Sequence, residues 1–180
     1  DRMLFRDVFD ARRVLQLASA IGHHCPAFDQ KAFAAPIVAD LPSLQLKGRV
    51  DAIAVALDRL LPLDFPQLVA LLQKALGPPV GESVESPPPQ TNGALPPHIE
   101  GWMIWPVSLF AVHRGRQEPA LTLELLEEMT QRSSCEFAIR HVILRHPDPA
   151  FRALSAWTRH PSAHVRRLAS EGSRTRLPWG

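Results

Sequence analysis

SSCEFAIRHVILRHPDPAFRALSAWTRHPSAHVRRLASE, residues 133–171, divides at two His-Pro joints, His146-Pro147 and His160-Pro161. Ser133–Arg145, Asp148–Thr158 and Ser162–Glu171 are each helical in period, and each proline ends the segment before it. Asp148 and Ser162, just after their prolines, read as N-caps. Short helices on tight joints run antiparallel and stack, each burying one face against its neighbours. The stretch therefore predicts an all-α stacked array. Internal similarity is confined to the two joints, so a strict sequence repeat is not established.

Helical periodicity also dominates upstream, with no convincing alternating strand. Asp7–Ala20 places Val8, Val14, Leu15 and Leu17 near one face, with Arg6, Arg12 and Arg13 largely outside. Asp29 begins a segment with Phe33, Ile37 and Val38. Ser43 reads as the cap of the next, whose stripe is Leu44, Val50, Ile53, Ala54 and Leu57 before Pro62. Asp64 caps a fourth, with Pro66 in its first turn, Leu68, Leu71, Leu72 and Leu76 inward, and Gly77-Pro78-Pro79 as its stop. Gly77–His98, with seven prolines and three glycines, reads as a mobile surface loop. Ile99–Val112 follows, holding Trp102, Ile104, Trp105, Leu109 and Phe110, with Pro106 as a kink or a first-turn residue; then comes Leu121–Gln131. One domain over 1–180, interrupted by the proline-rich loop at 77–98, is the expected organisation.

At 180 residues, 46% apolar and 21% charged, the chain has the composition of an ordinary soluble globular protein and can bury a full core. No apolar run approaches the length of a membrane span, and no secretory leader opens the sequence. Cys25 and Cys135 make no disulfide framework, so a reducing cytoplasm is expected. The net charge of +2 conceals a division. Residues 131–180 carry nine arginines against three acids, a net of +6, while 1–130 are at −4. Such a local field is the electrostatic footprint of a polyanion partner. The use of arginine without lysine there favours bidentate phosphate contact.

Within the basic segment stand Glu136 and Glu171. Glu136 begins a helix with Arg140 one turn on; its plain structural reading is a helix-start acid paired i,i+4. Glu171 closes the last helix, where an acid opposes the helix dipole, and its structural reading is a salt bridge to Arg167, Arg174 or Arg176. The functional reading is two carboxylates in a cationic groove, able to stabilise positive charge on a sugar or to activate water. Trp179 stacks on a nucleotide or serves as a hydrophobic plug; Trp157 reads as core, and Trp102 and Trp105 as core or groove wall. His164 heads a helix one turn before Arg167, a position for capping or phosphate contact. The eight histidines lack metal-ligand spacing, and Cys135 reads as an inert buried thiol. Gly-rich phosphate loops and the GxSxG nucleophile elbow are missing.

The run from Thr130 to Arg140, followed by His164-Val165-Arg166-Arg167-Leu168-Ala169-Ser170-Glu171-Gly172 and Arg174-Thr175-Arg176-Leu177-Pro178-Trp179, resembles the AlkC-type DNA alkylation-repair glycosylases. The likeness extends weakly through Leu46-Lys47-Gly48-Arg49-Val50, Leu76-Gly77-Pro78-Pro79 and Ile104-Trp105-Pro106. It implies an all-α, HEAT-like repeat array, an α-solenoid shared with the AlkD-type enzymes, that cradles duplex DNA in a concave basic groove. It also implies a monofunctional glycosylase releasing cationic N-alkylated bases such as 3-methyladenine or 3-methylcytosine, without metal or redox cofactor. By motif, Glu136 and Glu171 would face the lesion sugar and Trp179 would line the same site. Arg140, Arg166, Arg167, Arg174, Arg176 and His164 would be candidates for the DNA-binding set. The expected protein is a cytoplasmic monomer, on the nucleoid when bound.

Two features depart from the family pattern. Further helical repeats normally follow the Leu-Pro-Trp motif, whereas this sequence stops at Gly180, and the Gly77–His98 insertion is longer than the family's. The rival reading is a non-catalytic basic helical module that docks nucleic acid or an acidic protein.

Overall fold

The computed structural model describes residues 5–81 and 98–175. A 3-10 turn at Phe5–Val8 leads into α1 (Ala11–His24), α2 (Gln30–Asp40), α3 (Leu46–Leu60) and α4 (Phe65–Ala75). After a 3-10 turn at Gly101–Met103 come α5 (Ile104–Arg114), α6 (Pro119–Thr130), α7 (Glu136–Arg145), α8 (Pro147–Trp157) and α9 (Ala163–Glu171). The helices pack in two layers. One runs α3, α5, α7; the other runs α1, α4, α6, α8; α2 leans on α1 and α3, and α9 lies against α8 and α6.

Local chemistry sets most boundaries. Asp10, Asp29 and Asp64 cap α1, α2 and α4, each accepting from the amide three residues on. At α4 the Gln67 side chain returns a bond to the Asp64 amide, closing a capping box. Pro106 sits in the first turn of α5, where its missing N–H costs no helical bond. The core is one continuous cluster running from Phe9 to Ala169, so the sequence before and after the proline-rich segment shares it.

Several expected details shift. The first helix begins after Asp10, not at Asp7, and leaves Leu15 55% exposed while Val14, Leu17, Ala18 and Ile21 face inward. Ser43 caps no helix: its hydroxyl donates to the Asp40 carbonyl, and α3 starts after Gln45. α7 begins three residues later than Ser133. Asp148 lies inside the first turn of α8, because Pro147 itself opens that helix. Ser162 holds the N-cap position of α9 but makes no side-chain cap bond.

Of the proline-rich segment, 82–97 lies outside the described residues, and its two flanks meet. Leu76 and Ile99 form an isolated parallel bridge: the Ile99 amide donates to Ala75 at 2.7 Å, and the Gly77 amide to Ile99 at 3.0 Å. Gly77 is buried where a Cβ would come within 2.3 Å of the His98 ring, so no larger residue fits that approach without movement.

Candidate functional site

Glu136 is the first residue of α7, half-buried, where the helix dipole favours a negative charge. Its carboxylate accepts a long 3.5 Å bond from the Ser134 hydroxyl and forms no ion pair among the described residues. The i,i+4 partner expected from sequence, Arg140, turns away. Its Nη1 donates to the carbonyl of Arg174 at 2.5 Å and its Nη2 to that of Thr175 at 3.3 Å. Two carbonyls left open beyond a helix end give the planar guanidinium a matched pair of acceptors. An exposed i,i+4 ion pair, worth only a few tenths of a kcal/mol, does not compete.

Glu171 is the last residue of α9, one-fifth exposed, and its Oε2 pairs with Arg174 Nη1 at 3.0 Å. That cation offsets the unfavourable placement of an acid at a helix C-terminus. Directly after it, Gly172 packs on α7: a Cβ there would lie 2.7 Å from Ile139 Cγ2 and 2.8 Å from the Leu168 carbonyl. The exit of α9 is thus pressed against the first turns of α7, with Ile139 and Arg140 touching it and Glu136 one turn away.

On α9, His164, Arg167 and Glu171 share a face at i, i+3 and i+7. Arg167 is exposed, and its side chain has no hydrogen-bond or ion-pair partner among the described residues. His164 Nε2 lies 3.3 Å from the Gly81 carbonyl. Arg166 points the other way and donates to the carbonyls of His160 and Pro161, both at 2.7 Å, closing the second His-Pro joint. The arginines singled out by motif therefore differ: Arg140, Arg166 and Arg174 are held by protein acceptors, and Arg167 is open. Arg176 and Trp179 lie outside the described residues.

Other residues behave as the plain structural reading has it. Trp105 is buried and stacks on Phe137 at 4.6 Å between ring centres; Trp102 is half-buried and meets Phe5 edge-on. Trp157 is 4% exposed, but its indole also binds Glu127. Cys135 is fully buried, and burial pushes its thiol far above the ordinary range, against a smaller lowering from Ser108. Such a thiol is a poor nucleophile.

A separate open groove of about 540 Å³ lies over α3, α5 and α7, with Asp51 and Asp58 on one wall and His141 and Arg145 on the other. Neither glutamate lines it. His141 is held below its ordinary pKa, first by desolvation and then by the charge of Arg145.

An all-α, two-layer stack of short helices is a HEAT-like helical-repeat array, and where its α9 exit meets α7 it brings Arg140 of the Glu136 helix onto the backbone of Arg174, the partner of Glu171. The chain matches over its whole length a solved structure of the Pseudomonas fluorescens alkylpurine DNA glycosylase AlkC bound to DNA containing an abasic site analog, with a TM-score of 0.80 and 30% identity. The resemblance to AlkC-type glycosylases carried by the motifs therefore holds for the fold as well. The chain is also 28% identical over 176 residues, 97% of its length, to the uncharacterized protein YhaZ of Bacillus subtilis (strain 168). It spans 45% of the AlkC chain and 44% of YhaZ. No model of a known protein family matches. Among the described residues no helix is long and apolar enough to cross a membrane.

Proposed function

We propose that this chain acts in DNA repair as a monofunctional glycosylase, hydrolysing the N-glycosidic bond of cationic N-alkylated bases such as 3-methyladenine and 3-methylcytosine in duplex DNA. The observation that carries this reading is the meeting of the Glu171 end of α9 with the first turns of α7, where Glu136 stands without a cationic partner among the described residues. The structural likeness of the whole of this chain to 45% of a DNA-bound alkylpurine glycosylase supports it.

The chemistry asks little of the protein. An N-alkylated base with a positive charge is already a good leaving group, and its departure leaves an oxocarbenium-like sugar. A carboxylate beside that sugar stabilises the developing charge, and a second can orient and deprotonate the attacking water. Glu136 is suited to the first role, because no neighbouring cation neutralises it. Glu171, oriented by its ion pair with Arg174, is suited to positioning the attacking water, and Trp179 would line the lesion site. Arg167 and His164, on the face of α9 that bears Glu171, would meet phosphate, as would Arg174 and Arg176. Arg166 serves that role only if it gives up the carbonyls it now holds.

The test is base release from duplex DNA carrying a single 3-methylcytosine or 3-methyladenine, for the chain and for versions extended past Gly180, beside Glu136→Gln and Glu171→Gln. Loss of release by about 10²–10⁴-fold in either variant, with DNA binding retained, is expected. Salt-sensitive DNA binding without release in any version would leave a non-catalytic nucleic-acid module.

A further inference from the structure

Arg140 looks from sequence like one more phosphate-binding arginine, yet its surroundings assign its donors elsewhere. Its Nη1 and Nη2 are committed to two successive carbonyls, those of Arg174 and Thr175, from a helix 34 and 35 residues earlier in the chain. Arg174 in turn carries the side chain that pairs with Glu171 at 3.0 Å. Arg140 is also one turn from Glu136 on α7. The path from one carboxylate to the other thus runs through a short relay: Glu136, the helix turn to Arg140, the Arg174 backbone, the Arg174 guanidinium, and Glu171. Beside it, Gly172 lies so close to Ile139 that no side chain fits between, so the clasp closes on a tight backbone approach.

We propose that Arg140 is a positioning residue: it ties the α9 exit to the helix of Glu136 and so sets the separation of the two carboxylates, in place of contacting DNA phosphate. This rests on the glycosylase reading of the same site. A guanidinium suits the task because its rigid fork reaches two acceptors at once, whereas a lysine ammonium is a single flexible point charge. A shift of about 1 Å between groups that must act on one sugar suffices to cost roughly 100-fold in rate.

Arg140→Lys separates the two roles, since it keeps the charge and loses the fork; Arg140→Ala removes both. Three quantities would be measured for the chain, extended past Gly180 if release requires it. These are single-turnover release of 3-methylcytosine at saturating protein, affinity for an abasic-analog duplex over a salt series, and amide exchange at Ser173–Thr175. The proposal expects release slowed at least about ten-fold in both variants. Affinity and its salt slope should stay unchanged, amide exchange at 173–175 should quicken, and the melting transition should remain cooperative and near wild type. A lysine variant with full release, or an alanine variant whose salt slope falls by about 0.9, would make Arg140 a phosphate contact and overturn the proposal. A rate loss matched by loss of folded protein in both variants would also overturn it. If wild type releases no base, the glycosylase reading fails by itself. The exchange data still decide the clasp, and unchanged exchange at 173–175 in both variants would remove it.

Discussion

Trp157 on α8 donates its indole N–H to Glu127 on α6 at 2.8 Å, and the other oxygen of that carboxylate lies 3.0 Å from Nε2 of His160. The Ser162 amide donates to Nδ1 of the same ring at 3.0 Å, so Nδ1 accepts and Nε2 carries the proton of the neutral imidazole. One carboxylate therefore joins two helices and the joint that leads into α9. The imidazole thus fixes the backbone just before α9, while the Ser162 hydroxyl makes no cap bond of its own.

Trp157→Phe keeps most of the packing and removes the donor. It is expected to lower unfolding free energy by about 1–2 kcal/mol, while Trp157→Ala should cost about 3–5 kcal/mol through the cavity it leaves. Urea denaturation of the two variants, compared at equal slope, separates the hydrogen bond from the packing.

Arg49 is 5% exposed and donates to the carbonyls of Leu44, Arg6, Phe9 and Leu41 at 2.9–3.2 Å, fastening the 3-10 turn and the start of α1 to α3. Asp7 adds an acid 3.6 Å away. Arg49→Lys cannot reach all four acceptors and should cost roughly 2–4 kcal/mol; Arg49→Met should cost about 3–5 kcal/mol. Amide exchange should quicken first over 5–14, and an effect confined to α3 would contradict this.

The helix starts at Asp29 and Asp64 were legible in the sequence, because donor and acceptor of each cap lie on one local turn, whereas the equally local cap at Asp10 was hidden by Asp7, an acid one turn earlier. Leu15 was misplaced because an assumed start at Asp7 stretched the apolar face past what one helix can turn inward. The partner of Arg140 could not be read at all. It depends on where α9 ends against α7, which is set by Gly172 and by packing between helices far apart in sequence. Glu136 and Glu171 stand out in the sequence as acids within a basic segment, but what surrounds each is set by packing and was not legible. Glu127 was missed because an acid in the middle of α6 reads as surface until α8 brings an indole and an imidazole to it.

Gly172→Ala would push a methyl group into Ile139 and the Leu168 carbonyl. The expected loss is about 1–3 kcal/mol, as for other overpacked sites. Base release should fall more than folded protein does, if the α9 exit must lie close to α7. A melting curve and a release assay on one preparation compare the two.

Cys135 gives stability an alkaline limit. Its thiol is raised in the folded state, so its contribution is fully present below the ordinary thiol range and is lost as pH rises above it, where only the unfolded chain gives up the proton. Above about pH 9 the wild type should lose up to about 1.4 kcal/mol per pH unit more than Cys135→Ala. Denaturation at pH 8, 9 and 10 reads the difference, and parallel curves for the two proteins would contradict the assignment.

The Leu76–Ile99 bridge closes the chain at the base of 82–97, while α3 packs on α5 and α4 on α6 across that junction. The two lengths of polypeptide thus meet through their own buried surfaces and share one core. Cut within that interval, the chain is expected to become a complementing pair, two separately made fragments that reassemble on mixing through the shared core; fragments that elute apart on gel filtration of the mixture would contradict this.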